Sequence, residues 1–143
     1  MTAGSLKVVF DTNILVSGHF WKGPPYRCCL AIEAGLATLV LSDPILIEFS
    51  EKLTNKFGLL DSEIDPIVER WATRAEFARL EGKTGWVLQD PDDDKFVETA
   101  LVGGATIIVS GDRHLLALGK VEGIEILTAR QFLDRLAADS SDL

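Results

Sequence analysis

The sequence is poor in the residues that most often build zinc sites or covalent catalysis, with two cysteines and two histidines in 143 residues. Cys28 and Cys29 are adjacent in what reads as a helix, where successive side chains diverge, so a disulfide between them would be strained and reduced, half-buried thiols are expected. Zinc ligation needs ligands a turn apart and a second cluster, which His19 and His114 do not supply. Apolar runs of the roughly 20 residues that cross a bilayer are missing. The start, Met1-Thr2-Ala3-Gly4-Ser5, lacks the basic, then apolar pattern of a signal peptide, so a cytoplasmic protein with no membrane partner is expected. Cations are also in the minority: 14 Lys and Arg face 22 Asp and Glu, for a net charge of −8. That balance argues against broad affinity for nucleic acid, which comes from Lys and Arg contacts to phosphates. Two arrangements would reverse the argument: carboxylates converging on a site neutralised by divalent cations, or a basic partner covering the site.

Repeats, linkers and low-complexity segments are absent too, and strands alternate with helices throughout. Leu6 to Phe10 is a short apolar run that stops at polar Asp11-Thr12-Asn13, as a buried parallel strand does. A helical start over Asn13 to Ser17, a loop holding Gly23-Pro24-Pro25 and a helix over Tyr26 to Ala34 follow, then a strand from Leu36 to Leu41. Ser42-Asp43-Pro44 opens a helix towards Phe57-Gly58, and Asp61 to about Arg79 reads as another. Gly85 to Gln89 reads as a third strand, and Asp90 to Asp94 opens a helix ending at Gly103-Gly104. Thr106 to Val109 and Ile124 to Leu127 complete the strands, with a short helix between them and a last helix from Thr128 through Leu136. The alternation predicts one α/β domain over residues 1–137, with a mainly parallel sheet covered on both faces and a flexible tail over 138–143.

Open α/β sheets bind ligands beyond the carboxyl ends of their strands. Asp11 ends the first strand, Glu48 lies about a turn into the helix after the second, Asp93 follows the third and Asp112 follows the fourth. Singly each is weak: Asp90 reads mainly as a helix cap, Glu48 as a surface residue, and Asp94 competes evenly with Asp93 on spacing. Converging carboxylates repel, so the set predicts a hard cation, Mg²⁺ or Mn²⁺. The chemistry suited to such an ion is phosphodiester hydrolysis. Arg27, Lys22, Arg113 and Lys95 are candidate phosphate contacts. Trp21 and Tyr26 would pack or stack on bases, with packing favoured.

The segments Val8 to Leu15, Ser42 through Glu48, Asp90-Pro91-Asp92-Asp93-Asp94-Lys95-Phe96 and Val109 through Leu116 together resemble the successive motifs of the PIN-domain family, in the branch of VapC-like toxins of prokaryotic toxin–antitoxin pairs. The resemblance spans nearly the whole chain. It implies a three-layer α/β/α fold with a five-stranded sheet in the order 3-2-1-4-5. It also implies a Mg²⁺- or Mn²⁺-dependent endoribonuclease acting on RNA, a small antitoxin partner and a homodimer. Asp11, Glu48, Asp93 and Asp112 then correspond to the family's successive acids and metal ligands, with Asp93 preferred because that register sets Ala100 on the small helix position, and Asp94 in reserve; the mechanism so implied has Asp11, Asp93 and Asp112 holding the metal and Glu48 orienting or deprotonating the attacking water. Asn13 and Ser110 fall where the family carries small polar residues that support the acids. A haloacid-dehalogenase-like phosphatase would want an acid where this chain has Asn13, and a catalytically silent PIN-fold binding module would have less reason to keep all four acids.

Overall fold

In the computed structural model, which describes residues 6–141, the central strand β1 (Lys7–Phe10) lies between two parallel neighbours. Val8, Val9 and Phe10 are fully buried, as a strand covered on both faces requires. The chain continues through α1 (Thr12–Phe20), α2 (Pro24–Glu33), β2 (Thr38–Leu41), α3 (Asp43–Phe57), α4 (Asp61–Ala72) and the two-residue β3 (Glu76–Phe77). A 3₁₀ turn over Pro91–Asp93 leads into α5 (Asp94–Gly103), followed by β4 (Ile107–Val109), α6 (Arg113–Leu118), β5 (Lys120–Val121), β6 (Ile124–Leu127) and α7 (Ala129–Ser141). The sheet order is β3-β2-β1-β4-β6-β5, parallel except for the β5–β6 hairpin. This is the expected α/β architecture and order, with the hairpin strand added at one edge. Glu122 and Gly123, both at positive φ (52° and 82°), make the two-residue turn whose twist suits such a hairpin.

The elements follow from local chemistry. Ile45, Phe49 and Leu53 recur four apart on α3 and are wholly buried, Pro44 sits in the first turn, and Gly58 closes the helix in the left-handed conformation. α5 packs on β1, β2 and β4. It approaches so closely that a Cβ on Gly103 would lie 2.4 Å from Val40 Cγ1. On α1, a Cβ on Gly18 would lie 2.5 Å from Cys29 Sγ on α2.

Two expected elements are corrected. The helix expected to reach Arg79 stops at Ala72, because Glu76 and Phe77 pair with Val40 and Leu41 and the Ala78 N–H donates to Leu41 O at 2.8 Å. The open edge of β2 outbids helix propensity there. The stretch Gly85–Gln89 is no strand: the N–H groups of Gly85, Trp86 and Val87 donate instead to the Asp94 carboxylate. At the other end, α7 carries on to Ser141, so helix occupies the start of the expected tail. Residues 1–5 of the expected domain and 142–143 of the tail lie outside the described residues. Among the described residues no helix is long and apolar enough to cross a membrane.

Candidate active site

The strand order reverses between β1 and β4, and the carboxyl ends of these two strands deliver Asp11 and Asp112 to one place. Asp11 is the N-cap of α1: its Oδ1 accepts from the Ile14 N–H at 2.9 Å. Its Oδ2 accepts from the Ser110 hydroxyl. Ser110 Oγ in turn accepts the Asp112 N–H at 2.9 Å. Asp112 caps α6 through Oδ1, which takes the N–H groups of His114 (2.8 Å) and Leu115 (3.1 Å) and leaves Oδ2 outside these bonds. Asp11 is 3% exposed, and burial pushes its carboxyl up from the usual range, against the opposing pull of Ser110, the Ile14 N–H and Lys52.

The third contribution comes from the turn before α5. One carboxylate oxygen each from Asp90, Asp93 and Asp112 lie within 4.8 Å of one another. Asp93 Oδ2 is buried with no hydrogen-bond partner. Asp93 is pushed up to about 7, first by loss of solvent and then by the charges of Asp90 and Asp112, with Lys95 pulling the other way. An acid strained in this manner is a group short of a cation. The donors are all oxygens, which suits Mg²⁺ or Mn²⁺ and not a soft metal.

A cavity of about 160 Å³ joins these groups, lined by Asp11, Thr12, Asn13, Glu48, Lys52, Asp90, Asp92, Asp93, Phe96 and Asp112. Six of the chain's 22 acids therefore meet here, enough to account for most of the net charge of −8. Glu48 lines the cavity but stands apart from the three-acid group: Oε1 accepts from the Thr12 hydroxyl and Oε2 pairs with Lys95 Nζ at 3.0 Å. Asn13 Oδ1 accepts from Lys52 Nζ at 2.8 Å. Thus the structure brings Asp11, Glu48, Asp93 and Asp112 together with Asn13, Ser110 and Lys95. It does not bring Arg27, which lies on α2 in a separate groove with Leu30, Leu133 and Leu136. Arg113 and Lys22 are exposed and outside the cavity lining. Trp21, 58% exposed, leans on the rings of Phe20 and Phe57, while Tyr26 is half-buried on α2.

Asp94 has a different occupation from Asp93. Its buried carboxylate accepts from Gly85 (3.0 Å), Trp86 (3.0 Å) and Val87 (2.7 Å). One turn on, buried Glu98 accepts from Glu81 (2.8 Å), Gly82 (3.1 Å) and Lys83 (3.1 Å). The two acids, four apart on α5, strap the 81–87 segment to the helix just before Asp90. Asp90 is the residue that sequence reasoning assigned elsewhere: it precedes the 3₁₀ turn but makes no side-chain cap bond, and joins Asp93 and Asp112 instead. The signal was its three-residue spacing from Asp93 across a helical turn.

An acidic crevice at the reversal point of a parallel sheet defines the class, an α/β protein with a carboxylate site between β1 and β4. A model of the PIN domain matches residues 7–114, and the chain belongs to the PIN-domain family. Solved structures share the fold at low identity. A chain of VapBC2 from Rickettsia felis, bound to a DNA fragment from their promoter, matches at 13% identity and TM-score 0.62, over 86% of this chain and 98% of that one. PAE2754 from Pyrobaculum aerophilum matches at 16% identity and TM-score 0.56, over 93% and 90%. The PIN domain of T. brucei RRP44 matches at 15% identity and TM-score 0.55, over 98% and 84%. No curated protein sequence matches the chain.

Proposed function

We propose that the chain is a metal-dependent endoribonuclease, the toxin of a toxin–antitoxin pair that works in the cytoplasm. The observation that carries the reading is the buried, unpartnered Asp93 Oδ2 beside oxygens of Asp90 and Asp112, in a chain of the PIN-domain family. Asp90, Asp93 and Asp112 would hold one Mg²⁺ or Mn²⁺, and Asp94, already committed to three N–H groups, would not. When bound, such an ion polarises a phosphate oxygen and lowers the pKa of coordinated water. Asp11, the first of the expected ligands, lines the same cavity and would join those three acids on the ion, and its bond with Ser110 fixes the ends of β1 and β4. Glu48, which lines the cavity apart from the three-acid group, orients the attacking water. Lys52 lines the cavity, Lys95 pairs with its lining acid Glu48, and Arg113 lies beside Asp112 in sequence as a further phosphate contact. Arg27 would meet only a substrate long enough to reach its groove.

The toxin role is supported by the fold shared with a chain of VapBC2, and a small antitoxin with basic segments would suit the acidic crevice. The homodimer that the sequence resemblance implies is read by light scattering of the purified chain. The phosphatase alternative fares worse, since both Asp11 oxygens accept hydrogen bonds and Asn13 is tied to Lys52.

The test is incubation of purified protein with single-stranded RNA and Mn²⁺, with single-stranded DNA, EDTA and Asp11→Asn in parallel. Cleavage of RNA that EDTA abolishes and the variant loses supports the proposal. Cleavage that survives EDTA, or full activity in the variant, overturns it, and no cleavage under any condition favours the silent binding module.

A further inference from the structure

We propose that Lys95 takes the place of a second divalent cation, so that the acidic cavity holds a single metal ion; the inference rests on the metal-dependent reading above. Four of the six lining acids fall into two sets. Asp90, Asp93 and Asp112 each offer an oxygen within 4.8 Å of the others, and among the described residues none of the three forms an ion pair with a Lys or Arg. Glu48 already has one, the Lys95 ammonium at 3.0 Å from Oε2, and its other oxygen takes the Thr12 hydroxyl.

Lys95 is held in this position from several sides. Its ammonium also donates to the Asp92 carbonyl, and it sits 5.0 Å from the centre of the Phe96 ring. The side chains of the pair are only 15% and 28% exposed, so solvent screens the ammonium poorly. A second divalent ion would have to recruit Glu48, strip it of Lys95 and settle beside a displaced ammonium with Lys52 close by at Asn13. Like charges at such range, beside an ammonium whose side chain is only 15% exposed, repel one another strongly. In sites with two ions, the second steadies the oxygen that leaves. Here a fixed ammonium with N–H donors offers positive charge beside Glu48 without a second metal.

The test counts ions on the full chain, by calorimetric titration with Mn²⁺ and by the loss of the free-Mn²⁺ electron paramagnetic resonance signal. Wild type is expected to bind one ion, Lys95→Arg one, and Lys95→Met two, the second being lost again in the double variant with Glu48→Gln. Glu48→Gln alone is expected to keep the single ion with less than the roughly 10-fold loss of affinity that removing a supporting group brings. Two ions in wild type, or one in Lys95→Met, overturn the inference. If Lys95→Met does not fold, Glu48→Gln decides, since loss of the ion there makes Glu48 a ligand. No binding in any variant sinks the metal reading itself, an outcome distinct from a wrong count.

Discussion

Ser110 Oγ donates to Asp11 Oδ2 across 99 positions of sequence, and the same oxygen accepts the Asp112 N–H at 2.9 Å. One hydroxyl therefore sets the relation between the ends of two neighbouring parallel strands, and with it the relation between two of the lining acids.

Ser110→Ala removes both bonds at a fully buried position. It leaves the Asp112 N–H and a buried carboxylate oxygen short of a partner, which costs about 1–3 kcal/mol. The expected result is a lower urea midpoint with an unchanged slope. Cleavage by the variant should fall further than its stability loss accounts for, because Asp11 and Asp112 are no longer held together; activity equal to wild type at saturating Mn²⁺ would show that the junction only supports the fold.

Asp94 and Glu98 make a second prediction, because each gathers three N–H groups of the segment preceding Asp90. Asp94→Ala should cost about 2–3 kcal/mol, the scale of hydrogen bonds to a charged group. It should speed amide hydrogen exchange at Gly85, Trp86 and Val87 and expose the segment to proteases. Asp94→Asn, which keeps an oxygen for Trp86 and Val87, should fall between. Slow exchange in the alanine variant would mean the strap is held by something else.

How much of this was legible in the sequence varies with the physical cause. Asp11 and Asp112 stand out because a charged residue closing an apolar run faces the crevice of an open sheet. Glu48 could be placed on the helix after β2, but not its partner, since the Lys95 contact joins residues 47 apart in number and depends on how α3 meets α5. Asp90 was hidden by its own chemistry: an Asp before a Pro is an ordinary cap, and only the turn geometry turns it towards Asp93. β3 was beyond reach, since two residues carry no period and the free edge of β2 selects them. Gly85 to Gln89 has a strand's composition, yet the Asp94 carboxylate draws off the N–H groups a ladder would need.

The thiols supply a negative control for metal chemistry. Burial pushes both Cys28 and Cys29 up to about 12. At pH 8 roughly one thiol in ten thousand is then ionised, and the thiolate is the reactive form. Neither should react with iodoacetamide in the folded protein, and treatment should leave RNA cleavage unchanged while EDTA stops it. Rapid modification at pH 8 without unfolding would contradict the packing of Cys29 against Gly18 on α1 or of Cys28 against Ala129 on α7.

Asp93 ties stability to pH in the metal-free protein. Its carboxyl lies at about 7 in the folded chain against 3.8 ordinarily, raised by burial and then by Asp90 and Asp112. Between these values the folded state binds more protons than the unfolded state, so the contribution of this group is full below about pH 4 and drains away as pH rises through 7. In EDTA, the difference in stability between wild type and Asp93→Asn should therefore shrink and then reverse in favour of the variant from pH 4 to 7.5, read from urea midpoints. Mn²⁺ should cancel the trend for wild type alone. A cation competes with the proton for the same oxygens, so Mn²⁺ affinity should climb with pH up to about 7 and level off above it, with close to one proton released per ion at pH 6. A flat stability difference in EDTA, or Mn²⁺ uptake with no proton release at pH 6, would mean that Asp93 is already ionised and that another group balances its charge.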